Sequence, residues 1–267
     1  MSRRLTDAQW HFIRPLLPPP SRLGRPRADD RRTLDAILYV LRTGIAWRDL
    51  PRDLGSPITA WRRLKHWQTQ GIWKRLWHTA LNLLEAAGQL DWSHAQLDAS
   101  FVPAKRGGLA VGLTRKGKGT KWMLVTDANG TPIGFHLASA GLAESTLGPV
   151  TLESIIVTDS SGRCRTRPQC LVADRAYDTG PFRRYLHRRG IRACIPVKRR
   201  PKTWKAKRGR PVTYARPLYG ARWRIERTFA WPQTFRRLLV RWERDLHTYT
   251  GLFTLALIVL VLRRRLQ

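Results

Sequence analysis

The first part of the chain carries apolar residues at helical spacing, interrupted by residues that start and stop helices. Thr6 followed by Gln9 is the pattern of a capping box, and an apolar stripe beginning at Trp10 comes directly after it. A second apolar stripe at residues 34–41 ends at Gly44, a common residue just beyond a helix end. The pattern predicts two helices separated by a run of prolines.

A third helix is predicted from Ser56 and Pro57, an N-cap followed by a first-turn proline, to about Gln70. Its apolar positions recur at helical spacing, and its other faces are basic. A helix, a short connection and a basic helix follow the order of a helix-turn-helix module, so we predict an all-α DNA-binding domain over residues 1–88. The residues predicted to face DNA are Thr59, Arg62, Arg63 and His66. A plain helical bundle with solvated charges fits the same spacing.

From residue 91 onward, short apolar runs typical of strands appear between helical segments. Runs at residues 121–127 and 131–137 flank an Asn-Gly turn and predict a β-hairpin. The other predicted strands are residues 96–102, 169–173 and 191–197, and the predicted helices are residues 146–156, 179–189 and 219–241. The order β-β-β-α-β-α-β-α predicts an α/β fold of the ribonuclease H-like class over residues 89–267, with a mixed sheet flanked by helices.

The last apolar run, residues 251–262, is 12 residues long and predicts a core-packed terminal helix. A helix that crosses a bilayer needs about 20 apolar residues. The three cysteines show no paired spacing, and no apolar run with a cleavage site stands at the N-terminus. We therefore expect a cytoplasmic protein without a membrane partner.

Charge indicates the partner. The chain has 50 Lys and Arg against 18 Asp and Glu, a formal net charge of +32. Such an excess is favourable when Lys and Arg neutralise a polyanion. Because the basic residues are spread through several predicted elements, we expect double-stranded DNA as the partner.

A basic loop at residues 198–216 is the densest of these segments, and it begins with KRRPKTWKAKRGR. The residues predicted to contact DNA there are Lys198, Arg199, Arg200, Lys205, Lys207, Arg208 and Arg210. Its Arg-Gly-Arg-Pro stretch is similar to minor-groove arms, in which arginine enters a narrow groove. A merely solvated basic loop is an equally good interpretation.

Three carboxylates stand out against this charge. Asp98 lies within the first predicted strand, Asp174 ends the fourth, and Glu226 lies on the last predicted helix as the one acid among 15 basic residues between positions 198 and 242. Parallel neighbouring strands can bring the two aspartates together. Clustered carboxylates repel unless a cation neutralises them, and Mg²⁺ or Mn²⁺ suits such oxygen ligands. The set predicts a site for two ions that catalyses in-line attack on a phosphodiester.

Structural roles compete for these and other acids. Glu226 is four residues from Arg222, and we expect an ion pair worth about 0.2–0.5 kcal/mol between them as well. Asp127 begins the hairpin turn, and Asp178 precedes a helix that it caps or leads into. We assign structural roles to Asp127 and Asp178.

Three motifs resemble those of the DDE-type insertion-sequence transposases, specifically the insertion-sequence-five-like group. They are LDAS at residues 97–100, VADRAYD at 172–178 and RWRIERTFAW at 222–231. LTDAQW at residues 5–10 and GIAWRDLP at 44–51 resemble the N-terminal region of that group, so the resemblance covers nearly the whole chain. The family signature Y-x2-R-x3-E-x6-K ends here at Gln233 instead of Lys, so this position can hydrogen-bond a phosphate but lacks the positive charge.

The resemblance implies a metal-dependent transposase that nicks the ends of an element and joins the freed 3′-hydroxyl to target DNA. Asp98, Asp174 and Glu226 would be the catalytic residues and metal ligands, Tyr219 and Arg222 would position terminal phosphates, and Gln233 would hydrogen-bond a phosphate. Synapsis of two element ends implies a homodimer. A non-catalytic DNA-binding protein or inactive element remnant is the alternative, and a nuclease that cuts without joining is a third.

Overall fold

The computed structural model describes residues 4–20, 26–198 and 215–265. Its N-terminal segment contains the helices α1 Asp7–Ile13, α2 Asp30–Thr43, α3 Pro57–Thr69 and α4 Ile72–Ala86. The strands are β1 Ala95–Pro103, β2 Gly112–Thr114, β3 Gly117–Thr126, β4 Pro132–Ser139, β5 Val157–Thr158, β6 Cys164–Arg165, β7 Cys170–Ala173 and β8 Arg192–Cys194. The later helices are α5 Glu144–Glu153, α6 Gly180–Arg188, α7 Arg216–Gly220, α8 Trp223–Gln233, α9 Arg236–Leu239 and α10 Leu246–Arg265.

The N-terminal helices begin and end where the sequence predicts. The backbone N–H of Gln9 donates to the Thr6 hydroxyl at 3.2 Å, and the Gln9 side chain accepts from the Thr6 backbone N–H, which completes the capping box. Gly44 ends α2 in the left-handed conformation, with φ of 76°. Ser56 caps α3 by accepting from the Thr59 backbone N–H. These local signals are therefore confirmed.

The sheet is mixed and has six strands, in the order β2-β3-β1-β7-β8, with β4 also paired to β3. The predicted hairpin is present, because β3 and β4 are antiparallel and Asp127 and Gly130 lie in the turn between them. β1 is antiparallel to β3 on one side and parallel to β7 on the other. The ribonuclease H-like class predicted from the element order is confirmed.

Helices cover the two faces of this sheet. Gly134 on β4 lies against Thr151 and Ser154 of α5, so one face packs on that helix. The next residue, Phe135, points the other way, and its ring lies 5.3 Å from that of Phe253 on α10. The sheet is thus the middle layer between α5 and α10.

The terminal helix α10 is longer than the apolar run predicts. It spans Leu246–Arg265, and it is long and apolar enough to cross a membrane by length and composition alone. Its side chains from Leu252 to Leu262 are almost all buried within the protein, however, in contact with α3, α4 and the sheet. The Trp122 indole N–H also donates to the Tyr249 hydroxyl at 2.9 Å. The helix is a core element of the fold.

The single long helix predicted over residues 219–241 is wrong. α7, α8 and α9 occupy this stretch, so Glu226 lies in the first turn of α8. α8 ends one residue after Pro232, since proline lacks the N–H that continues a helix and crowds the preceding turn. Phe235 then takes an extended conformation. The strand predicted at residues 191–197 is also reduced to the three residues of β8.

The buried core runs without interruption from the N-terminal helices into the sheet. One cluster of buried apolar residues extends from Leu5 to Leu262 within the described residues. α2 also contacts α9, where the Arg237 guanidinium donates to the Ile45 carbonyl oxygen at 3.0 Å. The division at residue 88 therefore stays a prediction about sequence segments that share a core.

Gly119 on β3 lies where the neighbouring strand β1 leaves no space for a side chain. A Cβ at this position would lie 2.4 Å from both the Val102 carbonyl oxygen and Cε2 of Phe101. We expect Gly119→Ala to lower the free energy of unfolding by about 1–3 kcal/mol, the cost of overpacking a core. Urea denaturation measures this change. Gly107→Ala is the control, because an added Cβ there has nothing within 4 Å, and equal loss in both variants would contradict the packing described.

Candidate active site

Asp98 and Asp174 lie at neighbouring positions on paired strands. β1 and β7 run parallel in a register that ends with Leu97 opposite Ala173; Asp98 is the next residue of β1, and Asp174 directly follows β7. Adjacent strands are about 4.8 Å apart. The parallel pairing therefore brings together two acids from distant parts of the sequence, as the element order predicted.

The Asp98 carboxylate is held by two donors in a half-buried position. The Ala99 backbone N–H donates to Oδ1 at 2.8 Å, and Nη2 of Arg222 donates to Oδ2 at 2.7 Å. Burial raises the pKa of Asp98 above its ordinary value, the two donors oppose that rise, and the negative charge of Glu144 adds to it. This carboxylate thus lies in an environment that favours a cation beside it.

Asp174 is positioned by the turn that follows β7. Its Oδ1 accepts from the Ala176 backbone N–H at 2.8 Å and caps the short helical turn Arg175–Tyr177. Asp174 is partly exposed. The turn fixes one carboxylate oxygen through the backbone.

Two further side chains, those of Tyr177 and Glu144, belong to this acidic region, and neither was among the predicted site residues. Tyr177 is fully buried, and its hydroxyl has no hydrogen-bond partner among the described residues. Burial raises the pKa of the Tyr177 phenol well above its usual value, and the charges of Glu144, Asp98 and Asp174 raise it further. Glu144, the first residue of α5, also pairs with Lys121 at 3.4 Å. Tyr177 belongs to the motif VADRAYD and could have been identified from it, whereas no local sequence pattern distinguishes Glu144.

Glu226 is exposed in the first turn of α8. The helix is fixed to β1 because the Ile225 backbone N–H donates to Oε1 of Gln96 at 2.9 Å. The predicted Arg222–Glu226 ion pair is wrong in that the Arg222 guanidinium is directed to Asp98, with the Tyr219 ring 5.6 Å away. The cation that balances Asp98 is therefore supplied by the residue at the start of α8.

Within the described part of the chain, no three His, Cys, Asp or Glu side chains form a group that could hold a metal ion. Asp98 and Asp174 are brought together, and Glu226 does not complete a cluster with them. The donor chemistry of the pair nevertheless fits a hard divalent cation, because both groups are carboxylates. Burial raises the pKa of the half-buried Asp98, so a neighbouring positive charge would stabilise its ionised form. The two aspartates are thus the part of the predicted metal site that the structure assembles.

The four residues predicted to face DNA on α3 differ in their surroundings. Arg62 and His66 are exposed, and Thr59 is partly buried. Arg63 instead forms an ion pair with Asp30, with both side chains 13% exposed, and its guanidinium lies 5.4 Å from the ring of Trp67. Arg63 therefore serves the packing of α2 against α3.

Four of the remaining residues predicted to contact DNA lie in the described part of the chain. Lys198 is partly buried, and its backbone N–H donates to Oδ2 of Asp178 at 2.7 Å. Tyr219 and Arg222 lie beside Asp98, and Gln233 is exposed at the end of α8. The others lie outside the described residues: Arg199, Arg200, Lys205, Lys207, Arg208 and Arg210.

Asp127 and Asp178 have the structural roles assigned to them, and Asp178 leads into α6 instead of capping it. Asp127 is buried and accepts from the backbone N–H groups of Asn129 and Thr131 in the hairpin turn. Asp178 pairs with Arg183 at 2.7 Å, and the residue that caps α6 is Thr179 instead of Asp178. Both acids are thus engaged in backbone and ion-pair contacts that explain their presence.

Comparison with known proteins relates this geometry to a family. A family model described as "Transposase DDE domain" matches residues 93–262, and one described as "Putative transposase of IS4/5 family" matches residues 5–77. The uncharacterized 16.2 kDa protein of insertion element IS402 from Burkholderia cepacia is 44% identical over 117 residues, which are 41% of this chain and 80% of that protein. The putative transposase for IS402 from the same organism is 37% identical over 132 residues, 48% of this chain and 57% of that protein.

A solved structure shares the fold. The piggyBac transposase in its synaptic complex with hairpin DNA matches with a TM-score of 0.50 and 11% identity, over 95% of this chain and 70% of that chain. At this identity the likeness concerns the fold alone. The match of the DDE domain model, by contrast, covers most of the chain and contains Asp98, Asp174 and Glu226. The chain belongs to the DDE transposase family and is a DNA transposase, a metal-dependent enzyme of DNA cleavage and strand transfer.

Proposed function

We propose that this transposase nicks the ends of an insertion sequence and joins the freed 3′-hydroxyl to target DNA by in-line phosphoryl transfer. The observation that carries the proposal is the parallel pairing of β1 with β7, which sets Asp98 beside Asp174. Side-by-side carboxylates where a parallel strand pairing ends suit an enzyme that acts on phosphodiesters with divalent cations.

Asp98, Asp174 and Glu226 would hold two Mg²⁺ or Mn²⁺ ions. When bound, such ions lower the pKa of an attacking hydroxyl and stabilise the leaving oxygen. Glu226 is the third ligand of the proposal because it lies one turn after Arg222, which already contacts Asp98. The Ile225–Gln96 hydrogen bond holds this turn of α8 against β1.

Phosphate binding falls to the polar and basic residues around these acids. Arg222 and Tyr219 lie beside Asp98 and would position the phosphate next to the scissile bond, and the Arg222 guanidinium donates to the Tyr219 hydroxyl oxygen at 3.4 Å. Gln233 would hydrogen-bond a phosphate farther along the DNA without adding charge. The basic loop from residue 198 to 216 lies in sequence between Asp174 and Glu226 and would contact the DNA backbone.

The segment over residues 1–88 would recognise the element ends through α3, and the segment over residues 89–267 would carry out the chemistry. Two element ends must be held together for transposition, so we propose a homodimer in the complex with DNA. Cytoplasmic location at the nucleoid follows from DNA as the substrate.

Asp174→Asn tests the catalytic role without disturbing the turn after β7. The amide oxygen can still accept the Ala176 N–H, whereas the negative charge is lost. We expect strand cleavage of labelled element-end DNA in Mg²⁺ to fall at least about 100-fold, because even residues that only support metal ligands contribute 10–100-fold. The measurement is a gel assay of cleaved and joined products at matched DNA occupancy.

Asp7→Asn is the control for that assay, since this acid lies on α1 and its side chain is 81% exposed. Full activity of Asp174→Asn would contradict the assigned site. Tight binding by the parent protein without any cleavage would favour an inactive remnant that only binds DNA. Cleavage without joining would favour a nuclease.

Arg62 and Arg63 are neighbours on α3, and we expect their substitution to affect different properties: DNA binding for Arg62 and stability for Arg63. We expect Arg62→Ala to weaken binding to element-end DNA and to reduce the slope of log K against log salt by about 1, because one phosphate contact is lost. Arg63→Ala should instead lower the free energy of unfolding by about 1.5–3 kcal/mol, because it leaves Asp30 without this partner. Salt-titrated binding and urea denaturation of both variants measure the two effects, and interchanged results would refute the assigned face of α3.

A further inference from the structure

A cleft of about 600 Å³ lies away from the two aspartates, where the N-terminal segment meets the chain between α9 and α10. Three tryptophans and several arginines line it, and we call it the tryptophan–arginine cleft. The residues that matter here are Trp47, Trp61, Trp242, Arg48, Arg106 and Arg244. None of them has a role in the site at Asp98.

The tryptophans of the cleft differ from those of the core. Trp67, Trp73 and Trp122 are fully buried, whereas Trp242 is 46% exposed. Trp61 is one of the apolar residues that recur at helical spacing along α3. It is only partly buried, however, and lines the cleft. The exposed indole ring of Trp242 and the partly buried one of Trp61 line the same cleft, and each provides flat apolar surface on which a planar group can stack.

Cations lie over these rings. Nζ of Lys65 is 5.8 Å from the centroid of Trp61, and Nζ of Lys105 is 6.0 Å from that of Trp242. The combination of stacking faces with adjacent positive charge is typical of surfaces that bind the bases and phosphates of nucleic acid strands.

The acids of the cleft are already paired. Glu243 accepts from Arg237 at 2.8 Å, and Asp245 pairs with Lys65 at 2.9 Å. Arg106 and Arg244 therefore leave the cleft with an excess of positive charge. Because Arg237 also donates to the Ile45 carbonyl, these pairs fix the walls of the cleft before any ligand binds.

The cleft is connected to Asp98 along β1. From Asp98 this strand continues to Pro103, and the next residue, Ala104, is bridged to Arg241, the neighbour of Trp242. Six residues of strand at about 3.3 Å each span roughly 20 Å. DNA advances 3.4 Å per nucleotide, so this span corresponds to about six nucleotides.

We propose that the tryptophan–arginine cleft binds an unpaired nucleotide of the DNA substrate, roughly six nucleotides from the phosphate at Asp98. The base stacks on Trp242 and Trp61, and Arg106 and Arg244 contact the flanking phosphates. The proposal rests on the transposase function for the nature of the ligand, but it does not depend on which acids catalyse the reaction. A paired base cannot stack in this way, because its faces are covered by its neighbours in the duplex.

The test compares single-stranded with double-stranded DNA in a binding assay. The probes are a fluorescein-labelled dT oligonucleotide and a labelled duplex of the same length, titrated with the full chain by fluorescence anisotropy. We expect Trp242→Ala to bind the single strand about tenfold more weakly, the cost of losing one stacked base, and to bind the duplex within about twofold of the parent protein. Trp242→Phe should retain most of the affinity, since a phenyl ring still stacks.

Trp223→Ala is the matched control, because this tryptophan is 53% exposed on α8, outside the cleft, and also carries a cation, Arg227, over its ring. Unchanged single-strand binding by Trp242→Ala, or an equal loss in Trp223→Ala, would overturn the proposal. An equal loss for the single strand and the duplex would show that the cleft contacts paired DNA, which also overturns it. Thermal melting identifies any misfolded variant, and the Phe variant then decides.

The assay is run in the Asp174→Asn background as well as in the parent chain. Binding needs no cleavage, so a protein that fails to cut DNA still gives a clear result for the cleft. Conversely, the parent chain could cleave and join DNA while Trp242→Ala binds the single strand as tightly as the parent does. That result would refute the proposal for the cleft and leave the proposed chemistry intact. Failure of the proposed chemistry and failure of the cleft are thereby distinguished.

Discussion

The parallel pairing of β1 with β7 is the interaction on which the site depends. Its register places Asp98 next to Asp174, and a slip of one residue would turn one of the two acids to the other face of the sheet. β1 is prevented from slipping by eight registered pairs with β3 on its other side, from Gln96 to Pro103. The long antiparallel pairing thus secures the short parallel one that makes the site.

The second constraint is electrostatic. In a chain of net charge +32, several of the acids inside the protein pair with arginines. Asp98 is balanced by Arg222, Asp178 by Arg183, and Asp30 accepts from both Arg27 and Arg63. These acids are neutralised by arginines, and the chain still has a large excess of Lys and Arg, so the charge left at the surface is mostly basic. That division lets one chain pack its own surfaces and still attract a polyanion.

The sequence predicted the features that local patterns encode. The capping box at Thr6, the end of α2 at Gly44 and the hairpin turn after Asp127 depend on a few adjacent residues, and all were confirmed. Contacts between distant segments were harder. The direction of Arg222 depends on where α8 lies against β1, and the place of Glu144 beside Asp98 depends on how α5 covers the sheet. Helical spacing likewise could not show that Arg63 faces Asp30 while Arg62 faces solvent.

The continuous core joins the N-terminal helices to the sheet that carries Asp98. α10 contacts both α3 and α4 and also packs its Phe253 against Trp122 of the sheet, at 4.8 Å between rings. The spacing between the exposed face of α3 and Asp98 is therefore set by packed side chains instead of by a flexible linker. The tryptophan–arginine cleft lies between α3 and the end of β1, where a nucleotide released from the duplex would be held.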